Sequence, residues 1–243
     1  MADKDHLNMI ITGHIDNGKS TTMGHFLLDL GVVDERTISA HAKESEETGK
    51  GDSFKYAWVM DNIKDERARG ITIDLAFKKF ETPKYFFTLI DAPGHRDFVK
   101  NMITGASEAD CAVLVLSAKE GETDTAIAPG GQAREHAFLL KTLGVKQIIV
   151  AINKMDDSKF SEDAFNTAKQ KGEGLVKSVG YKLDEVPFVP VSGWTGENLV
   201  KKSENMPWYK GKTLLETFDD FKTPEKPTGK PLRLPIQDVY SIT

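Results

Sequence analysis

The feature that most constrains this chain is Gly13-His14-Ile15-Asp16-Asn17-Gly18-Lys19-Ser20, a G-x-x-x-x-G-K-S run set between two different periodicities. Before it, Leu7-Asn8-Met9-Ile10-Ile11-Thr12 is an apolar run with the character of a buried strand. After it, Thr21-Thr22-Met23-Gly24-His25-Phe26-Leu27-Leu28-Asp29-Leu30 spaces its apolar residues along one face of a helix. Strand, glycine loop and helix in that order form the setting of a phosphate-binding loop. Glycines let consecutive backbone N–H groups turn inward around phosphate oxygens. The start of the helix adds partial positive charge. His14, Ile15, Asp16, Asn17, Gly18, Lys19, Ser20 and Thr21 are therefore the candidate phosphate contacts. Lys19 reaches the β- and γ-phosphates, and the Ser20 hydroxyl can ligate Mg²⁺.

The same alternation of strand and helix runs on to about residue 221. Strands are expected at 7–12, 73–80, 84–90, 111–117, 147–152 and 186–191. Helices are expected at 19–30, twice between 36 and 66, and at 95–107, 131–143, 161–179 and 213–221. Runs 111–117 and 147–152 are continuously apolar, as strands of a parallel sheet covered on both faces must be. The segments 73–80 and 84–90 are joined by a short turn at Pro83 and predict an antiparallel edge hairpin. The fold class is thus α/β, a doubly wound, mostly parallel sheet with helices on both faces, whose ligands bind beyond the carboxyl ends of the strands. The expected organisation is one such domain over 1–222, a proline-rich linker over 223–231, and a strand over 232–243. A lone strand has nothing to pair with, so it reads as the opening of a truncated β-domain.

Composition narrows the class. The chain has 243 residues, 39% hydrophobic and 28% charged, with a net charge of −5, which is ordinary globular composition. A pI near 5.7 argues against a free-standing nucleic-acid binder, which needs a basic face. The single cysteine, Cys111, excludes an internal disulfide and a multi-cysteine zinc site, and reads as a small buried hydrophobe. No run approaches the roughly 18 apolar residues needed to span a membrane. The polar start, Met1 to His6, lacks a signal-peptide core. The chain reads as cytoplasmic.

Four further stretches carry chemistry. Asp91-Ala92-Pro93-Gly94 closes a strand downstream of the phosphate loop. There Asp91 can hold Mg²⁺, directly or through water, and Gly94 can offer its N–H to a γ-phosphate. Asn153-Lys154-Met155-Asp156 closes another strand. A carboxylate at Asp156 accepts from both the N1–H and the exocyclic amino group of guanine, and adenine offers neither donor. Asn153 can tie neighbouring loops together, and the Lys154 stem can lie over the base. Ser192-Gly193-Trp194 can present backbone N–H groups to the guanine carbonyl, with Trp194 either flanking the base or packing. Thr72 is placed to complete the Mg²⁺ shell through its hydroxyl. His95, directly after Gly94, can orient the attacking water or stabilise charge, so the catalytic candidates are His95, Lys19 and Thr72. His6, His14, His25, His41 and His136 read as structural side chains without metal-ligand spacing. The charged stretch from Asp34 to Gly70 is placed where a mobile switch could lie. Its aromatic group, Phe54, Tyr56 and Trp58, reads as local packing, with a partner surface as the alternative.

Taken in order, these motifs resemble the translational GTPases, and within them the elongation factor 1-alpha family of archaeal and eukaryotic type. The resemblance rests on Gly13 to Thr22 with Gly24-His25, on Phe54 to Asp61, on Glu66 to Asp74 and on Asp91 to Phe98. It continues through Asn101 to Gly105, Asn153 to Asp156, Ser192 to Trp194, Asn205 to Tyr209 and Lys230 to Pro235. It implies a Mg²⁺-dependent, GTP- and GDP-binding domain, slow in hydrolysis alone, that serves delivery of aminoacyl-tRNA to the ribosomal A site. Hydrolysis would loosen a first switch around Thr72 and a second from Asp91, and a guanine-nucleotide exchange factor would reset the cycle. The sequence departs from the family at Asn17, where His or Ser is more usual, though an Asn side chain can still donate to phosphate. The family's two β-barrel domains lie outside these residues, so acceptor-stem recognition would need more chain. A release, ribosome-rescue or sulfurylase-activating paralogue shares the same motifs. A nucleotide-binding module without turnover is the reading from a different class.

Overall fold

A computed structural model describes residues 4–47, 49, 54–60, 66, 72–225, 229 and 231, with the backbone alone for Arg96. Four of the nine residues of the expected linker (226–228 and 230), all of the expected strand at 232–243, and Asp61, Arg69, Gly70 and Ile71 lie outside the described residues.

The chain runs β1 (Asp5–Gly13), α1 (Lys19–Asp29), α2 (Glu35–Glu47), α3 (Phe54–Ala57), β2 (Ala76–Glu81) and β3 (Tyr85–Asp91). After a 3₁₀ turn at Arg96–Phe98 come α4 (Val99–Glu108), β4 (Cys111–Ser117), α5 (Glu122–Ile127) and α6 (Gln132–Thr142). The order closes with β5 (Gln147–Asn153), α7 (Glu162–Val179), a 3₁₀ turn at Leu183–Glu185, β6 (Phe188–Pro190) and α8 (Leu214–Phe218).

The strands form one sheet in the order β2-β3-β1-β4-β5-β6. Only β2 runs antiparallel to its neighbour, so the expected hairpin sits at the edge. Alternation along the strands divides the core into two layers. Ile10, Ile90, Ala112, Leu114, Ile148 and Val150 face α4, α6 and α7, meeting Met102, Ala137, Leu140 and Phe165. Leu7, Met9, Ile11, Leu89, Val113 and Ile149 face the opposite way, against Met23, Phe26 and Leu27 of α1 and Phe218 of α8. Cys111 is buried in that second layer, and burial pushes its thiol well above the usual range.

Boundaries shifted where side chains compete with the ladder. The strand expected from 73 begins at Ala76 because the Glu66 carboxylate accepts from the N–H groups of Ile73 and Asp74, both at 3.0 Å. Asn101 Nδ2 takes the Ile73 carbonyl at 2.9 Å. The helix expected at 95–107 is split into the 3₁₀ turn and α4, and 213–221 shrinks to Leu214–Phe218. Helix α5 was not anticipated: six residues are too short to show a 3.6 period.

The carboxyl ends of β1, β3, β4 and β5, at Gly13, Asp91, Ser117 and Asn153, open on the same edge of the sheet. The central strand β1 lies between β3 and β4, so consecutive connections leave it in opposite directions, which creates the crevice where ligands of such sheets bind.

Candidate functional site

At that edge lies a cleft of about 450 Å³, a size suited to a small organic ligand. Ten of the expected residues line it: Asp16, Gly18, Lys19, Ser20, Thr21, Thr72, Asn153, Lys154, Asp156 and Trp194. Phe54, Ala57 and Asp157 line it too and were not expected there. His14, Ile15, Asn17, Asp91, Gly94, His95, Ser192 and Gly193 are not among the lining residues.

The end of the cleft expected to take phosphate is built on α1. Gly18 precedes the helix with φ +79°, a left-handed conformation natural to glycine, and has no side chain with which to cap the helix start. A Cβ at Gly18 would meet Asn153 Nδ2 at 2.5 Å, so this glycine also serves a close approach. Lys19 is buried, with Nζ donating to the His14 carbonyl at 3.0 Å. A Cβ on Gly94 would lie 2.4 Å from that same Nζ and 3.1 Å from the Ile15 nitrogen, so Gly94 rests directly on the phosphate loop. Asn17 differs from expectation. Its Nδ2 donates to the Val115 carbonyl at 2.9 Å, so the side chain is committed to β4 and not aimed at phosphate. Burial, and then the Lys19 charge, hold His14 below the usual imidazole range.

Three oxygen donors meet beside the helix start. Ser20 Oγ donates to Asp91 Oδ2 at 2.6 Å and lies 3.2 Å from Thr72 Oγ1. Asp91 is fully buried; burial pushes its carboxyl up to about 6, against the pull of the Ser20 hydrogen bond and the Lys19 charge. Its Oδ1 is buried with no hydrogen-bond partner among the described residues. An orphaned carboxylate oxygen beside two hydroxyls is a donor set for a hard cation such as Mg²⁺. No group of three or more His, Cys, Asp or Glu side chains suited to a metal occurs among the described residues.

At the base end, Asn153 joins two loops. Its Nδ2 donates to the Asn17 carbonyl at 2.8 Å and its Oδ1 accepts from the Gly193 N–H at 2.8 Å. The Ser192 hydroxyl donates to Asp156 Oδ1 at 2.5 Å and fixes the carboxylate. The Ser192 N–H goes to the Glu197 carbonyl and that of Gly193 to Asn153. Of the three N–H groups expected to face a ligand carbonyl, two are therefore engaged by the protein. Lys154 has φ +62° and its Nζ pairs with Glu122 Oε2 at 2.7 Å. Glu122 comes from α5, and the sequence reading missed it. Burial raises its carboxyl pKa, but the Lys154 and Ser117 contacts outweigh this and leave it below the usual range. Two acidic residues in the first turn after Gly121 were the available signal, and they named no partner.

His95 lies apart from the cleft lining, its side chain about one-third exposed (34%) and its Nδ1 3.5 Å from Asp97 Oδ2. The Asp97 N–H donates to the same ring nitrogen at 3.2 Å. The remaining histidines have structural partners: His136 Nδ1 bonds Thr12 Oγ1 at 2.7 Å inside the core, the exposed His6 bonds Thr88, and His41 meets the Trp58 ring edge. Trp58 itself is buried, as local packing requires.

The family model described as "Elongation factor Tu GTP binding domain" matches residues 4–224. An elongation factor 1-alpha of Cenarchaeum symbiosum is 85% identical over 243 residues, all of this chain and 56% of that protein. The chain thus spans about half the length of the curated relatives it matches. Among solved structures, sup35 complexed with GDP is similar over 90% of this chain and 45% of its own, at 33% identity and TM-score 0.66. The Saccharomyces cerevisiae Ski7 GTPase-like domain bound to GTP is similar over 88% of this chain and 49% of its own, at 26% identity and TM-score 0.75.

Proposed function

The chain belongs to the family of elongation factor Tu GTP-binding domains, and from that premise we propose that it is a Mg²⁺·GTP switch that hydrolyses GTP to GDP and phosphate. It works as part of a longer cytoplasmic translation factor that brings aminoacyl-tRNA to the ribosomal A site, and an exchange factor restores GTP. Among the described residues no helix is long and apolar enough to cross a membrane.

The observation that carries the reading is the Asn153 junction. One side chain holds the phosphate loop through Asn17 and the base loop through Gly193. A ligand that fills the cleft must offer polyphosphate at one end and a carboxylate-binding base at the other. Asp156, oriented by Ser192, accepts from the guanine N1–H and amino group. With adenine that carboxylate would be left without its partners. Lys154, braced by Glu122, lays its stem over the base.

Lys19 and the N–H groups at the start of α1 take the β- and γ-phosphates. Ser20, Thr72 and Asp91 would hold Mg²⁺, which when bound neutralises charge on the phosphate oxygens. In hydrolysis the water oxygen attacks the γ-phosphorus and the bond to the β–γ bridging oxygen breaks. The protein's contribution is placement and charge. Gly94, resting on Lys19 and Ile15, senses the γ-phosphate, and Thr72 releases when it leaves. His95 orients the water after turning away from Asp97, and contact with the ribosome supplies that turn. The 85% identity to an elongation factor 1-alpha favours the elongation reading over a release-type paralogue.

Titration with fluorescent N-methylanthraniloyl (mant) GTP and mant-ATP, with and without Mg²⁺, tests the base and metal assignments. The expected result is a GTP preference of about 10³-fold or more, strengthened by Mg²⁺; equal affinity for the two nucleotides would overturn it. Single-turnover phosphate release with and without ribosomes tests the switch. Absence of release in both would leave a binding module.

A further inference from the structure

His25 and the α3 segment, which the mechanism above does not use, are joined to the base loop by contacts that meet at a single side chain. The His25 ring stacks on Tyr56 with centroids 4.1 Å apart and planes within 8°. On its other side, Nδ1 lies 2.9 Å from the Gly193 carbonyl. The base loop is flush against α1: a Cβ on Gly193 would come within 2.3 Å of Thr22 Oγ1, and one on Gly196 within 2.8 Å of His25 Nε2. The α3 segment is equally close, since a Cβ on Gly24 would lie 1.9 Å from the Tyr56 carbonyl oxygen. Tyr56 also meets Trp194 edge to face at 6.0 Å, and Lys55 Nζ sits 5.2 and 5.3 Å from the Tyr56 and Trp194 ring centres.

These contacts have a direction. Trp58, Val59 and Met60 root the segment in the core, while Phe54 and Ala57 form a wall of the cleft. Tyr56, which falls between the two wall residues in sequence, is held by His25. We propose that His25 and Tyr56 are positioning residues for the nucleoside: together they clasp the α3 wall to the base loop and set how long a nucleotide stays bound. The inference rests on the nucleotide-binding reading of the cleft. Physically, a bound nucleoside lies between Trp194, on the base loop, and Phe54–Ala57, on α3. Departure requires those two walls to separate, and separation unstacks Tyr56 from His25. An aromatic contact of this kind contributes enough to slow release by about tenfold.

The experiment is stopped-flow release of mant-GDP and mant-ADP from the wild-type chain, Tyr56→Ala, Tyr56→Phe and Gly24→Ala, with thermal melting of each. Tyr56→Ala should speed release of the retained nucleotide about tenfold. Gly24→Ala, which removes no ring but pushes on the Tyr56 backbone, should also speed it. Tyr56→Phe keeps the stack and should stay within about twofold of wild type. Wild-type release rates for Tyr56→Ala and Gly24→Ala would overturn the clasp. So would equal acceleration by Tyr56→Phe, or acceleration only in proportion to a lost melting temperature. The base reading is scored separately by the wild-type preference for mant-GDP over mant-ADP. Reversal of that preference would sink the guanine assignment while the clasp is still read on whichever nucleotide is held. Retention of neither nucleotide would overturn both.

Discussion

Two helix starts in this molecule solve the same problem in opposite ways. At α8, Thr213 Oγ1 accepts the Glu216 N–H at 3.1 Å and the Glu216 carboxylate accepts the Thr213 N–H at 2.8 Å, a reciprocal capping box. At α1 the position before the helix is Gly18, which has no side chain to cap it, and the first turn holds no acid. The first residue there is instead a lysine, which places a cation where the helix is already positive, an unfavourable choice for an isolated helix. A start that only has to be stable closes on itself. A start that, in the proposed function, receives an anion is left open and made more positive.

The strongest way to break this contrast is Lys19→Ala. Removing a buried cation from a phosphate site should weaken triphosphate binding by about 10³-fold, measured by mant-GTP titration, with the α8 end unaffected. Retained micromolar affinity would contradict the phosphate role. Asp156→Asn acts at the far end of the same cleft. It loses two hydrogen bonds to the base, so GTP affinity should fall about 10²-fold. Xanthosine triphosphate, which has a carbonyl where guanine has the amino group, should become the better ligand in competition.

The open end also has a support that the closed one lacks. His136 bonds Thr12 beneath the phosphate loop, and burial pushes its imidazole down to about 3. A depressed pKa keeps the folded ring neutral while the unfolded one gains a proton below about 6.5. Its stabilising contribution is therefore complete above pH 6.5 and is lost as pH falls toward 3. Between pH 7 and pH 5 the loss should be about 2 kcal/mol. It is read as the difference in urea stability between the nucleotide-free wild type and His136→Gln. That difference removes the Asp91 contribution, which has the opposite sign because its carboxyl is raised. A parallel pH profile in the two proteins would remove His136 from the account. The smallest effect belongs to the closed end: Thr213→Ala should cost about 1 kcal/mol of folding stability and leave nucleotide affinity unchanged.

What the sequence made legible follows from the range of the interactions involved. The strands, the phosphate loop and the base loop announce themselves through periodicity and local motifs, because their roles depend on neighbours within a few residues. Asn153 was read as a tie between loops, and its two hydrogen bonds carry that role in the structure. The partners missed are distant ones. Asn17 bonds the carbonyl of Val115, Lys154 is braced by Glu122, and His25 is held by Tyr56 on one side and Gly193 on the other. In each case the residue type was visible and its partner was not, since only the assembled sheet brings them together. Glu66 shows the same limit from another side: one carboxylate delays the start of a strand by three residues by taking the N–H groups of Ile73 and Asp74.

The amide of Asn153 has one more implication. Because it fastens both loops with the two ends of a single rigid group, neither loop can relax around half a ligand without disturbing the other. The pocket should then behave as a ruler with both marks on one stick: guanosine and inorganic triphosphate, supplied separately, should bind far more weakly than their joined form even after the entropy of linkage is counted. Asn153→Ala should cut that stick and let the two fragments bind as strangers.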